Sequence, residues 1–184
     1  TQTGCDVLLL DSQIRVCDFT ADGKEGLVST RKGSIYYVDI ENSNSLKIVS
    51  CHMNEKINYI SGGDERHLLT AGNDSCLKGW DYLSLDEKFE FYYYDQRQIP
   101  QKIESIPDEN IILVLFSEKT DKEDPSPTTF IRVYDILNLK PLGKITIPEY
   151  NVNISSFKVI FNGKGIVAST YQNKIYVLTI ENWN

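Results

Sequence analysis

Along this chain apolar residues come in short runs, many of them alternating with polar ones, and each run stops at a cluster of Gly, Asn, Asp or Ser. That is the pattern of half-buried strands joined by tight turns. The clearest unit covers 67–82, where Leu68-Leu69-Thr70-Ala71 and Cys76-Leu77-Lys78-Gly79-Trp80 flank the turn Gly72-Asn73-Asp74-Ser75, and the second run closes on Trp80-Asp81. A similar unit precedes it, with an apolar run over 14–19, a turn at Thr20-Ala21-Asp22-Gly23, a second run over 26–30, a turn at Lys32-Gly33, and a third over 34–40.

Laying the units over one another puts Val38, Trp80, Tyr134 and Leu178 in one position, with Ile35, Leu77, Ile131 and Ile175 three places earlier. Asp39, Asp81, Asp135 and Thr179 follow in the next place, then Ile40, Tyr82, Ile136 and Ile180. The spacings of about 42, 54 and 44 residues match the period, roughly 40 to 45, of a four-stranded propeller blade. The pattern therefore predicts an all-β chain, a β-propeller of four-stranded antiparallel blades with about four blade units, at 14–51, 57–94, 102–147 and 154–180. Outer strands are expected at 46–51, 89–94 and 142–147. The long middle spacing carries an insertion over 117–129 that is charged, holds two prolines and has no apolar period, so it should form a solvated loop between the second and third strands of its blade. Two readings of it stay open, an inert excursion and a partner-binding or phosphorylatable loop. The last unit has room for three strands only. The run over 5–10 (Cys-Asp-Val-Leu-Leu-Leu) is expected to supply the fourth and leave no free sheet edge.

Composition narrows the function classes. A hydrophobic share of 41% supports a packed core, while a net charge of -7, with 19 basic residues scattered among 26 acidic ones, argues against a nucleic-acid binder. No apolar run is long enough to cross a bilayer as a helix, so no membrane partner is expected. Cys5, Cys17, Cys51 and Cys76 form no C-x-x-C pair, and three of them fall in or beside strand runs as small core residues would. They are read as free thiols of an intracellular, cytoplasmic protein.

Gly72-Asn73-Asp74 and Lys78-Gly79-Trp80-Asp81 are the residues through which the chain resembles the WD-repeat family of β-propellers. The resemblance covers nearly the whole length and is strongest in the second unit. It implies a hydrogen-bonded structural tetrad of Asp74, His52, Thr70 and Trp80, with Cys51 standing where the family usually places a Gly before the His. Family rings commonly have seven blades, so the natural protein is expected to be longer than these four units. The first unit, Phe19-Thr20-Ala21-Asp22-Gly23-Lys24-Glu25-Gly26-Leu27-Val28-Ser29-Thr30 continuing to Gly33-Ser34-Ile35-Tyr36-Tyr37-Val38, is similar to the repeats of centriolar and ciliary microtubule-associated WD-repeat proteins.

Asp74, His52 and Thr70 are also the residue types of a hydrolytic triad. A nucleophile needs solvent access and an oxyanion hole, whereas Thr70 should lie buried between blades with Trp80 competing for its hydroxyl, so the structural network is the expected role and no enzyme is predicted. His67 is expected at the surface. Two histidines and scattered cysteines offer no zinc site, Asp121-Lys122-Glu123-Asp124 lacks the turn glycine of a calcium loop, and Gly62-Gly63-Asp64 lacks a following helix to hold phosphate, so no metal or cofactor is expected. The aromatic run Phe89, Phe91, Tyr92, Tyr93, Tyr94 is either core packing or a partner patch on the rim. Phe91, Tyr92, Tyr93, Tyr94 and the basic residues Arg31, Lys32 and Arg97 are the candidate partner surface. The resemblance implies a non-catalytic scaffold that holds other proteins, tubulin or microtubule-associated proteins among them. The alternative is a substrate receptor that recognises a modified peptide.

Overall fold

The computed structural model describes residues 7, 9–19, 23–53, 55–61, 67–81, 84, 86–93, 97–106, 109–118, 128–138, 140–147, 149 and 152–180. Among the described residues fifteen strands form four antiparallel sheets, each a simple meander in chain order. The first holds β1 (Ile14–Phe19), β2 (Glu25–Thr30), β3 (Ser34–Asp39) and β4 (Asn44–Ser50); the second β5 (Ile57–Ser61), β6 (His67–Gly72), β7 (Cys76–Asp81) and β8 (Glu87–Tyr92). The third holds β9 (Gln98–Ser105), β10 (Ile111–Glu118), β11 (Thr128–Asp135) and β12 (Lys140–Ile145), and the fourth only β13 (Ile154–Ile160), β14 (Gly165–Thr170) and β15 (Ile175–Thr179). The fourth strands begin two residues earlier than the apolar runs suggest, and β9 begins at Gln98 rather than at 102. Residues 119–127 of the inserted loop lie outside the described residues.

The repeats are equivalent in register as well as in sequence. Val38 pairs with Gly26, Trp80 with Leu68, Tyr134 with Ile112 and Leu178 with Ile166, the same seat in each sheet. Each first strand also bulges at a matching place, beside Ile14, Ile57, Pro100 and Ile154. Such a bulge sharpens local twist. Tight turns join the second and third strands, with a residue one or two places before the third strand in left-handed backbone at Gly33 (φ 76), Ser75 (φ 63) and Asn173 (φ 59).

The Asp that follows the third strand has a local task. Asp39 Oδ1 accepts the backbone N–H of Asn42 at 3.1 Å, Asp135 Oδ1 that of Asn138 at 3.1 Å, and Asp81 Oδ1 that of Ser84 at 2.9 Å. Asn138 Nδ2 adds a bond to Asp135 Oδ2 at 2.6 Å. These are Asx turns, which stabilise the ionised carboxylate. The side-chain and backbone bonds from Asn138 hold the Asp135 carboxyl below its ordinary 3.8. A depressed pKa means that the turn keeps its full contribution above the ordinary value and loses it as pH falls through the folded one. Carboxyl-carbon NMR should therefore place the Asp135 midpoint below 3.8, and Asn138→Ala should move it back toward that value. A midpoint unchanged by the substitution would remove Asn138 as the cause.

Between successive sheets lie three cores. Leu27 and Ile35 of the first sheet meet Ile57, Ile60, Leu68 and Trp80 of the second. Leu69, Ala71, Leu77 and Tyr93 meet Ile112, Val114, Phe116 and Phe130 of the third, and Leu113, Leu115, Ile131 and Val133 meet Ile154, Phe157, Ile166 and Ala168 of the fourth. Alternation along β10 sends Ile112, Val114 and Phe116 to one neighbour and Ile111, Leu113 and Leu115 to the other, which is why that strand reads as an unbroken apolar run. The first strands of the sheets lie side by side, β1 by β5, β5 by β9 and β9 by β13.

Of the run over 5–10 expected to complete the fourth sheet, residues 5, 6 and 8 lie outside the described residues. Val7, Leu9 and Leu10 lie outside any strand, Val7 and Leu9 are exposed, and among the described residues the fourth sheet has three strands. Just downstream, Ser34 Oγ donates to Asp11 Oδ2 at 2.6 Å, the Asp11 N–H donates to the Tyr36 hydroxyl and the Lys32 N–H donates to Ser12 Oγ, tying residues 11 and 12 to the first sheet. With the row of sheets open, Ile175 and Val177 on the outer face of β15 are exposed.

Candidate functional site

His52, in the link between the first two sheets, is fully buried, as is Thr70 on β6. The structure brings all four tetrad residues together. His52 Nδ1 lies 2.9 Å from Asp74 Oδ1 and Nε2 lies 2.8 Å from Thr70 Oγ1, which in turn accepts the Trp80 Nε1–H at 3.1 Å. Only one assignment gives every hydrogen an acceptor: Trp80 donates to Thr70, Thr70 to a neutral Nε2, and Nδ1–H to the Asp74 carboxylate. The same carboxylate accepts the Cys76 N–H at 3.2 Å and so shapes the β6–β7 turn. The site leaves no room for a side chain at Gly72, where a Cβ would lie 2.5 Å from His52 Nδ1 and 2.7 Å from Asp74 Oδ1. Cys51 fits in place of glycine because its thiol donates to the Gly33 carbonyl at 3.2 Å, and burial pushes that thiol up to about 12.

No protein-family model matches the chain. It is similar to WD repeat-containing protein 90 of Xenopus tropicalis, 26% identical over 89 residues, which cover 48% of this chain and 5% of that protein. It is also similar to WD repeat-containing protein 90 of Mus musculus, 25% identical over 89 residues, again 48% of this chain and 5% of the relative. The buried Asp-His-Thr-Trp network of the second sheet and the shared register of the four sheets stand beside this likeness to WD-repeat proteins. The sheets are similar to WD-repeat blades.

Chemically, the His52–Asp74–Thr70–Trp80 network is sealed. The Thr70 hydroxyl has no solvent exposure and both its neighbours engage it, so it cannot meet a substrate. Among the described residues no group of three His, Cys, Asp or Glu side chains could hold a metal ion, and no helix is long and apolar enough to cross a membrane. Cys76 is buried like Cys51, but Cys17 is exposed on β1, where nothing among the described residues covers it.

The candidate partner surface divides. Phe91 packs edge-on to Tyr134 with ring centroids 4.9 Å apart, and Tyr93 is buried edge-on to Phe116 at 5.0 Å with its hydroxyl donating to the Gly72 carbonyl. These two are removed from the surface because the third blade covers their side of the second. Tyr92 points the other way and is 38% exposed. Arg31, Lys32 and Arg97 are exposed. Tyr94 and the side chain of His67 lie outside the described residues.

Charge placement adds two features that spacing did not reveal. At the seam of the third and fourth blades Glu104 pairs with Lys102 at 3.1 Å and Lys158 at 2.7 Å, while Lys102 also donates to the Phe157 carbonyl at 2.6 Å. At the seam of the first and second, Lys56 has its pKa lowered, first by burial and then by the charges of Arg15 and Arg31. Neither set falls at a repeated position, so only the packing of neighbouring blades reveals them.

Proposed function

We propose that this WD-repeat chain is a non-catalytic scaffold of the cytoplasm that holds other proteins within a centriolar or ciliary microtubule assembly, with tubulin or microtubule-associated proteins as partners. The observation that carries the reading is the burial of the His52–Asp74–Thr70–Trp80 network, which commits the chain's catalytic-type side chains to holding a blade. What remains for function is surface, and a row of stacked sheets presents several loops and edges to different partners at once. Unpaired buried thiols at Cys51 and Cys76 support the reducing compartment. The likeness of the first unit to centriolar and ciliary repeats supports the microtubule setting.

Co-sedimentation with polymerised tubulin tests the placement. Saturable pelleting with microtubules is the expected outcome, and a chain left in the supernatant at every tubulin concentration overturns the microtubule setting. The receptor reading draws on one observation, the group of cations around Lys56.

A further inference from the structure

On one rim of the blades the turn between second and third strands is latched to the residue before the first strand. Arg31 N–H donates to the Gln13 carbonyl at 2.9 Å, Asn73 N–H to the Lys56 carbonyl at 2.9 Å, and Tyr171 N–H to the Asn153 carbonyl at 3.0 Å. The latches place Arg31 and Lys56 on the same rim, on adjacent blades. They are brought closer because the link into the second blade crosses the first blade's turn, where a Cβ on Gly33 would lie 2.5 Å from the Glu55 carbonyl oxygen. Arg15 stands on β1, the strand that lies beside β5.

The chain is acidic overall, and several lysines elsewhere sit in ion pairs, among them Lys24 with Glu41 at 3.0 Å, Lys78 with Glu87 at 2.8 Å and Lys174 with Glu149 at 2.7 Å. Among the described residues no carboxylate pairs with Arg15, Arg31 or Lys56. Like charges gathered in this way repel, and the pKa of Lys56 is lowered first by its partial burial and then by the charges of Arg15 and Arg31. A protein rich in carboxylates had partners available and leaves this group to an external anion.

We propose that the rim formed by Arg15, Arg31 and Lys56, with Lys32 beside them, docks an acidic, carboxylate-rich segment of a partner protein. The two guanidinium groups suit bidentate binding of successive carboxylates, and the ammonium group supplies a point charge between them. The site is too small, on a chain of net charge -7, to follow a nucleic-acid backbone. The proposal rests on the scaffold reading and gives the chemistry of one partner.

Fluorescence anisotropy of a labelled oligoglutamate peptide against the whole chain tests it. The peptide should bind with a dissociation constant that rises with salt, and oligoglutamine should not bind. Arg15→Gln with Arg31→Gln should weaken binding about tenfold or more, on the scale of losing charge-assisted hydrogen bonds. Lys140→Gln with Lys164→Gln, the same change of charge at remote exposed sites, should leave it within about twofold. Should the Arg pair fail to fold, Lys56→Gln alone serves, with a loss of about threefold expected from one half-buried charge. Equal losses in the two double variants, absence of binding, or preference for a phosphopeptide or single-stranded RNA over oligoglutamate each overturns the proposal. Oligoglutamate binding without microtubule pelleting would keep this site and remove only the proposed assembly.

Discussion

Thr70→Val should destabilise the chain by about 2–6 kcal/mol, roughly 1–3 for each of two buried groups left without a partner. The substitution conserves shape, so packing changes little, but it removes the oxygen that accepts from Trp80 Nε1 and the hydrogen that Thr70 donates to His52 Nε2. Both neighbours are buried, Trp80 at 5% exposure and His52 at none, so water cannot take the place of the hydroxyl. Urea denaturation should show a lower midpoint with an unchanged slope. A cycle with Trp80→Phe separates the two bonds. In that background only His52 is orphaned, and the cost of Thr70→Val should fall by about 1–3 kcal/mol. Strictly additive effects would show that Thr70 and Trp80 are not coupled, and the network would have to be redrawn.

Phe116→Ala should cost about 3–5 kcal/mol, the range for removing a large aromatic side chain from a core. Phe116 is completely buried, edge-on to Tyr93 of the second blade at 5.0 Å and stacked with Phe130 of its own at 5.7 Å. Because Tyr93 also donates to the Gly72 carbonyl beside His52, the cavity would loosen the support of the tetrad from the far side. Native-state hydrogen exchange should therefore rise in β6 and β7 as well as in β10 and β11, whereas β1 to β3, one seam further away, should respond less. Exchange confined to β10 and β11 would mean that the blades are energetically independent, and a loss below about 1 kcal/mol would mean that the seam repacks.

The tetrad was legible because each part is set by local chemistry. The Gly72-Asn73-Asp74-Ser75 turn, the alternation in β6 and the Trp-Asp ending of β7 all act within a few residues, and the sheet pairing then places Trp80 beside Leu68 whatever surrounds the blade. His52 comes from outside that unit, and its place was read from family likeness rather than from spacing. The aromatic run shows the limit of the same reasoning. Alternation correctly separates Phe91 and Tyr93 from Tyr92, but which side faces water depends on where the third blade lies.

Sequence alone determined the repeated strand–turn pattern, the seats of the third strands and the turn-capping role open to Asp39, Asp81 and Asp135, since all depend on neighbours along the chain or one strand away. Tertiary structure decided what each seat experiences. Ile131 and Ile175 occupy equivalent positions, yet Ile131 is fully buried and Ile175 is 75% exposed, because a fourth blade covers one and nothing described covers the other. The convergence of Arg15, Arg31 and Lys56 has the same origin: hydrophobic faces drive the sheets together, and the charges on their rims are carried into proximity that no spacing along the chain encodes.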